Sequence, residues 1–107
     1  MSSTNGQKPP AFYQGGSITF NTPASTTIAA TTTAAIPANI NRKYLTVTND
    51  SDEVMYLAWG NAAVMNKGIR LNAAGGSESF IGPSIFQAAL NAICASGTKV
   101  LIYQEGE

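Results

Sequence analysis

The chain has 107 residues and a formal net charge of zero, because six basic residues balance six acidic ones. Only 11% of the residues are charged, less than half the usual share of about 25%, whereas the apolar share of 44% is ordinary. There is no histidine and a single cysteine, Cys94. These figures indicate one domain with a modest core. They exclude imidazole catalysis, histidine metal sites, a thiolate zinc cluster and an intrachain disulfide.

The charge balance also bears on partners and location. A neutral chain lacks the basic excess that binding to nucleic-acid phosphates requires, so we expect no nucleic-acid partner. The first residues contain no apolar run typical of a signal peptide, and polar residues interrupt the most apolar stretch, 28–40, so we expect no membrane partner. Low charge protects poorly against self-association, which favours a protein that works inside an assembly. The unpaired Cys94 fits the reducing cytoplasm.

Residues 1–16 have the composition of an arm. Ser, Thr, Asn, Gln and Gly surround a Pro-Pro pair at 9–10, which favours an extended conformation. A Gly-Gly pair at 15–16 predicts a hinge. We therefore expect an extended or flexible N-terminal arm over 1–16 and a β-sandwich domain over 17–107.

The domain opens with two predicted strands. The first, over 17–20, is short and places Ile18 and Phe20 on one face, and a turn containing proline follows it. The second covers 25–36, where many threonines favour a pleated surface over a helix.

All residues between Lys8 and Arg42 are uncharged. Such a run is typical of a strand buried on both faces or of a surface that contacts another subunit, because the cores of interfaces are depleted in charge. The first third of the chain is therefore the predicted contact surface, although small Thr and Ala residues could simply line a neutral exterior.

A hairpin in the middle of the chain is the strongest prediction. In a strand over 43–49, Leu45 and Val47 alternate with more polar residues, and a return strand over 53–59 alternates as well. The sequence Asn-Asp-Ser-Asp at 49–52 is a turn signal, because these side chains bond to their own backbone. We expect the two strands to pair with each other.

Further strands follow over 68–72, 77–81 and 99–104, with glycine-containing turns before the last two. Residues 85–95 fit both a helical stripe and a two-residue alternation, which periodicity cannot separate. Short strands and tight turns flank this segment, so we favour a strand and keep the helix as the alternative. The sum of about eight short strands predicts an all-β domain, a sandwich or a barrel.

Few residues carry a chemical signal. Asp50, Asp52 and Glu53 could bind Ca²⁺, but the EF-hand spacing is missing, so a solvated tip is the preferred interpretation. Trp59 could join tyrosines in a sugar-binding platform, but we prefer that it packs in the core or under its rim. Cys94 has no nearby base and is interpreted as an inert core residue. We predict no catalytic residue, cofactor or metal, hence a protein that is not an enzyme.

Two segments carry a resemblance. Residues 41–49 (NRKYLTVTN) and 54–60 (VMYLAWG) resemble a pattern of small virion proteins of tailed bacteriophages, in which one strand is followed by another that ends in an aromatic residue and glycine. The segments GIRL and AGG at 68–76, and AICASGT and YQEG at 92–106, continue it. The resemblance covers 39–106 and leaves the N-terminal third unmatched.

This resemblance implies a single antiparallel jelly-roll β-sandwich that decorates or cements the capsid. Such a protein binds the major capsid protein or neighbouring virion subunits, forms a homo-oligomer (a dimer or a trimer), and lies on the capsid surface after assembly in the host cytoplasm. The alternative is a tail, neck or fibre component, including one that binds a host glycan. Phe12 and Tyr13 either pack on their own domain or anchor the arm. The expected partner-facing residues are Pro9, Pro10, Phe12, Tyr13, Ile18, Phe20, Thr31 and Thr33.

Overall fold

A computed structural model of the chain describes residues 17–81 and 85–107. The predicted arm over 1–16, with Pro9, Pro10, Phe12 and Tyr13, lies outside the described residues. The described part is all-β, as predicted. Its strands are β1 (Ala24–Ile28), β2 (Thr33–Ile36), β3 (Tyr44–Asn49), β4 (Met55–Trp59), β5 (Ile69–Leu71), β6 (Ser77–Ile81), β7 (Leu90–Cys94) and β8 (Lys99–Gly106). Within these residues there is no helix long and apolar enough to cross a membrane.

The strands form two four-stranded antiparallel sheets that pack face to face. The front sheet has the order β1-β8-β3-β6 and the back sheet the order β2-β7-β4-β5. Strand β1 pairs with β8, β2 with β7, β3 with β6 and β4 with β5. This nested pairing of the first strand with the last, and so on inwards, is the connectivity of a jelly roll. The predicted jelly-roll sandwich is thereby confirmed.

The predicted hairpin of 43–49 with 53–59 is wrong. Strand β3 belongs to the front sheet and β4 to the back sheet, so the connection between them crosses from one sheet to the other. The turn chemistry itself is present: the Ser51 hydroxyl lies 2.6 Å from Asn49 Oδ1, and the Glu53 amide donates to Ser51 Oγ at 3.2 Å. These local bonds form equally well in a hairpin and in a sheet-to-sheet connection, which is why the turn signal did not decide strand pairing.

The predicted strand over 25–36 is two strands, one in each sheet, with a break at 29–32. Splitting the segment buries both Ile28 and Ile36 completely, on opposite sides of the same core. Strand β2 also has a register shift between Ala34 and Ile36. Ala35 and Ile36 are both buried as a result, whereas Ala34, two residues before Ile36, is exposed.

The remaining elements follow the predictions closely. Strand β6 matches its predicted bounds, whereas β7 confirms a strand only for the second half of 85–95. The predicted strand over 17–20 is reduced to a bridge between Phe20 and Gly106, with reciprocal backbone hydrogen bonds of 2.8 Å between Thr19 and Glu107.

The core lies between the two sheets, and it is lined by the face of β3 with Leu45 and Val47 and by the face of β4 with Met55 and Leu57. Cys94 is fully buried and burial raises the pKa of its thiol, as expected for an inert core residue. The buried cluster consists of Ile28, Ala35, Ile36, Leu45, Val47, Met55, Leu57, Leu71, Leu90, Ala92, Cys94 and Leu101.

Candidate functional site

Large exposed apolar side chains gather at one end of the sandwich, where β3 begins and where β6 and β8 end. Four of the most exposed ones in the described part of the chain lie there: Ile40 (79% exposed), Ile81 (67%), Phe86 (60%) and Phe20 (54%). We call these four residues the apolar end. An exposed cluster of this kind is typical of a protein–protein contact site.

Contacts between these elements show that they share one end. The Phe20 ring packs edge-on against the Tyr44 ring, with the centroids 5.4 Å apart, and Tyr44 lies directly opposite Ile81 in the β3–β6 register. Ile18 and Phe20 both lie over Gly106, where any Cβ would collide with Ile18. The prediction that Ile18 and Phe20 share a face is therefore confirmed, and a glycine is required beneath them.

Arg42 holds the connections at this end together. Its side chain is completely buried, and its guanidinium forms an ion pair of 2.7 Å with Glu105. It also donates to the carbonyl oxygens of Pro37 (2.8 Å), Phe86 (3.0 Å) and Ala88 (2.8 Å). The planar guanidinium offers several donors in fixed directions, which lets one side chain satisfy three carbonyls and a carboxylate. Arg42 thereby fixes the loop that carries Phe86.

Trp59 packs under the rim of the core, as the preferred interpretation stated. Its ring meets Phe80 edge-on at 5.2 Å and Phe86 at a tilt at 5.5 Å. The guanidinium carbon of Arg42 lies 5.4 Å from the centroid of the Trp59 ring, a cation–π distance. The Trp59 indole therefore packs against both Phe86 and Arg42.

The described tyrosines do not join Trp59 in one sugar-binding platform. Tyr44 lies on the outer face of the front sheet, and Tyr103 packs against the core. Tyr56 belongs to the back sheet and donates its hydroxyl hydrogen bond to Asn66 Oδ1 at 3.0 Å.

The turn that carries Ile40 is anchored on both sides. The Asn39 amide group donates to a Glu107 carboxylate oxygen at 2.8 Å, and the Asn39 backbone N–H donates to the Gln87 carbonyl at 2.8 Å. Hydrogen bonds from Asn39 and Asn21 lower the pKa of the Glu107 carboxyl. Ile40 therefore projects into solvent from a fixed turn, which reduces the conformational entropy that binding through it would cost.

Two of the predicted partner-facing residues lie at the opposite end. Thr31 and Thr33 belong to the connection from β1 to β2 and to the start of β2. The Thr33 hydroxyl donates to the Thr31 carbonyl at 3.0 Å and accepts from the Ala29 amide at 3.3 Å. The structure thus brings Ile18 and Phe20 together and separates them from the two threonines.

That opposite end carries the charged turn. Asp50 and Asp52 are exposed there, and an ion pair of 2.7 Å with Lys99 lowers the pKa of Asp52. Glu53 accepts hydrogen bonds from the Ser96 amide at 3.0 Å and from the Ser96 hydroxyl, which lower the pKa of its carboxyl. In the part of the chain that the structure describes, no group of three or more Cys, Asp or Glu side chains is placed to hold a metal ion.

Comparisons with protein-family models, curated proteins and solved structures find no match to this chain. The functional conclusion therefore depends on the geometry of the apolar end and on the sequence pattern.

Sequence reasoning found only Phe20 among the four residues of the apolar end. Ile40 does carry a signal: it is a large apolar residue between two asparagines, where a turn exposes its side chain. Phe86 and Ile81 carry none, because Phe86 falls in the segment of ambiguous periodicity and Ile81 ends a strand. Arg42 ends the uncharged run of the sequence, and nothing in one sequence separates it from the exposed Lys43 beside it.

Proposed function

We propose that this protein is a non-enzymatic structural component of a bacteriophage virion. It decorates or cements the capsid by binding the major capsid protein or neighbouring virion subunits, as a homo-oligomer on the capsid surface. The resemblance over 39–106 supports the virion role, and the jelly roll is the fold that this resemblance implies. The observation that carries the proposal is the apolar end, with four exposed large side chains in a chain that is only 11% charged.

The mechanism follows from how the apolar end is built. Arg42 and the Asn39–Glu107 bond fix the connections before any partner arrives, so binding orders little additional chain. The exposed residues are Phe and Ile, whose transfer from water is favourable, and none of the four brings a charge that must be desolvated. Many copies on a symmetric shell would multiply a weak single contact.

Binding to phage heads assembled without this protein tests the proposal. Purified chain is mixed with such heads and with isolated tails, and the bound fraction is measured after sedimentation. We expect saturable binding to heads. Binding confined to tails would assign the protein to the tail, neck or fibre instead, and binding to neither would overturn the proposal.

A pair of matched variants tests the surface. Ile40→Asp places a charge in the apolar end at a position that is 79% exposed, so we expect the fold to be preserved and head binding to be at least about tenfold weaker. Val64→Asp makes the same change at another exposed apolar residue, in the loop between β4 and β5. We expect Val64→Asp to bind like the natural chain, and equal binding of both variants would contradict the assignment of the apolar end.

A further inference from the structure

The outer face of the front sheet is uncharged. The outward-facing positions of its four strands are occupied by Ser, Thr, Tyr, Gln, Val and Ile, among them Ser25, Thr46, Thr48, Ser79 and Ile102. None of the charged residues in the described part of the chain falls at these positions. Ile102 and its neighbour on the same face, Val100, remain exposed.

The back sheet differs, because the chain covers its outer face with the loop 60–68. Ile93 points outwards from β7 and is nevertheless only 9% exposed. Three hydrogen bonds tie the loop to the sheet and to the β1–β2 connection: Asn91 Nδ2 to the Asn61 carbonyl (2.6 Å), the Ala63 amide to Thr32 Oγ1 (2.8 Å), and the Tyr56 hydroxyl to Asn66 Oδ1 (3.0 Å). On the front sheet, Ile18 and Phe20 cover the end at Tyr44 and Gly106, and the described residues leave the rest of its outer face open.

An open groove of about 430 Å³ crosses the front sheet between β1 and β3. Its lining contains both hydroxyl-bearing and apolar residues, including Pro23, Ser25, Thr48 and Ile102. This volume lies within the range of roughly 300–1,000 Å³ that is common for binding sites. Hydroxyl groups beside an aliphatic floor suit an extended, uncharged peptide, because they can bond its backbone while its side chains pack on Ile102.

The N-terminal segment of this chain has a similar composition, with a single charged side chain. Residues 1–16 include one charge, Lys8, together with a Pro-Pro pair and two aromatic residues. Proline pairs favour the extended polyproline conformation, which leaves the backbone carbonyls free to accept hydrogen bonds. Because the groove has no charged side chain, binding of such a segment would not remove a charge of the groove from water.

The course of residues 17–20 bears on whether the segment reaches the groove of its own molecule or that of a neighbouring copy. This stretch runs antiparallel to the end of β8, bonded through Thr19 to Glu107, so the chain enters from beyond the end of the front sheet. Sixteen extended residues span at most about 53–58 Å, whereas the longest strand of the front sheet has eight residues and spans about 27 Å. The segment is long enough to reach an adjacent molecule.

We propose that residues 1–16 of one copy lie extended in the front-sheet groove of a neighbouring copy. The inference rests on the proposed function in that it specifies how its homo-oligomer is built. It assigns the apolar end to the shell and the front sheet to contacts between copies.

Cysteine cross-linking in the full-length chain tests this arrangement. The natural Cys94 is fully buried, so it does not compete with an introduced thiol. One variant carries Ala11→Cys in the N-terminal segment and a mass tag, and the other carries Ser25→Cys in the groove. Mixed and oxidised at high protein concentration, they are expected to form a disulfide-linked heterodimer. The matched control replaces Ser25→Cys by Ala34→Cys, an exposed position on β2 of the back sheet, and we expect about tenfold less heterodimer.

Equal yields from Ser25→Cys and Ala34→Cys would overturn the inference. The double variant Ala11→Cys/Ser25→Cys provides a second check. If it closes only an internal disulfide and stays monomeric, the segment occupies the groove of its own molecule, which also overturns the inference. The proposed function is tested separately by head binding. If the chain binds heads but the Ser25→Cys variant forms no cross-link, only the present inference is contradicted. Cross-linking without head binding would contradict only the capsid role.

Discussion

We expect the Arg42→Met variant to lose about 3–5 kcal/mol of unfolding free energy, the range found when one partner of a buried ion pair is removed. Methionine fills the space of the arginine stem but provides no donor. The Glu105 carboxylate, whose side chain is only 14% exposed, would lose its ion-pair partner. Three backbone carbonyls would lose the donor that they share.

The surroundings of Arg42 determine how large the loss of unfolding free energy is within that range. The stranded Glu105 charge is the largest contribution, because little water can reach it. The carbonyls of Phe86 and Ala88 belong to exposed residues, so water can replace the lost bonds at a cost near the lower limit of about 1 kcal/mol each. The cation–π contact with Trp59 adds about 0.5–1 kcal/mol. In a domain with a total stability of about 5–15 kcal/mol, the loss corresponds to a decrease of Tm by about 12 °C or more.

Urea unfolding measures this loss. Trp59 is the only tryptophan and lies beside Arg42, so its fluorescence reports on this end, and far-UV circular dichroism reports on the sheets. Lys43→Met is the matched control: it removes a neighbouring, exposed charge and is expected to change the unfolding free energy by less than about 0.5 kcal/mol. The double variant Arg42→Met/Glu105→Gln no longer strands a charge and should recover part of the loss. A loss below about 1 kcal/mol for Arg42→Met would refute the reasoning.

Three further predictions concern the opposite end. Asn49→Ala removes the amide that donates to the Glu53 and Leu71 carbonyls, and we expect a loss of about 2–3 kcal/mol in urea unfolding; a loss as small as that of Lys43→Met would contradict the role of Asn49. Gly76→Ala would drive its Cβ into the backbone of Asn72, so we expect a decrease of about 1–3 kcal/mol and reduced soluble yield. The pKa of Glu53 is lower in the folded chain than its ordinary value of 4.5, so its stabilising bonds are fully present above pH 4.5 and are lost as the pH falls through the lower folded value. We expect the difference in Tm between neutral and acidic pH to be smaller for Glu53→Gln than for the natural chain. An equal difference in the two would contradict the contribution of Glu53 to stability.

The sequence predicted which residues of a strand share a face, because alternation along a strand records this directly. Leu45 and Val47 share one face of β3 and both are fully buried. In β4 both faces are largely apolar, so the alternation did not select the face with Met55 and Leu57, which the structure buries completely. The all-β class followed from the same local information, whereas the count of eight strands agrees because the missing strand over 17–20 is offset by the division of 25–36 into two.

Strand pairing was predicted less well, because it depends on contacts distant in the chain. The Asn49 side chain donates to the carbonyl of Leu71 in β5, a contact that helps to hold the sheet-to-sheet connection after β3 and that no local pattern reports. The turn signal at 49–52 was correct, and the inference that it joins paired strands was not. The prediction of one strand over 25–36 was wrong for a related reason. Ile36 is buried because β2 pairs in the back sheet, and a local pattern does not report that pairing.

The candidate site was the least predictable part. Arg42 and Asn49 are the two buried polar residues among those described, and both look like surface residues by type. Arg42 is buried because two connections, one carrying Pro37 and the other Phe86, converge on it beside Glu105. Convergence of remote segments leaves no periodic trace in a sequence.

The two ends of the sandwich differ in a way that fixes an orientation for any attached molecule. The connections at the Asn49 end are short, and together with the first residue of β8 they carry the charged residues Asp50, Asp52, Glu53 and Lys99. The connections at the Arg42 end are longer and expose the apolar end. Long connections need internal contacts to stay fixed, and the hydrogen bonds of Arg42 provide them. A capsid that bound the apolar end would therefore leave the charged end in solvent, where it would keep a densely decorated shell soluble. The N-terminal segment joins the described chain near Phe20 at the apolar end, so with a shell bound there it would leave the domain next to the shell and between adjacent copies.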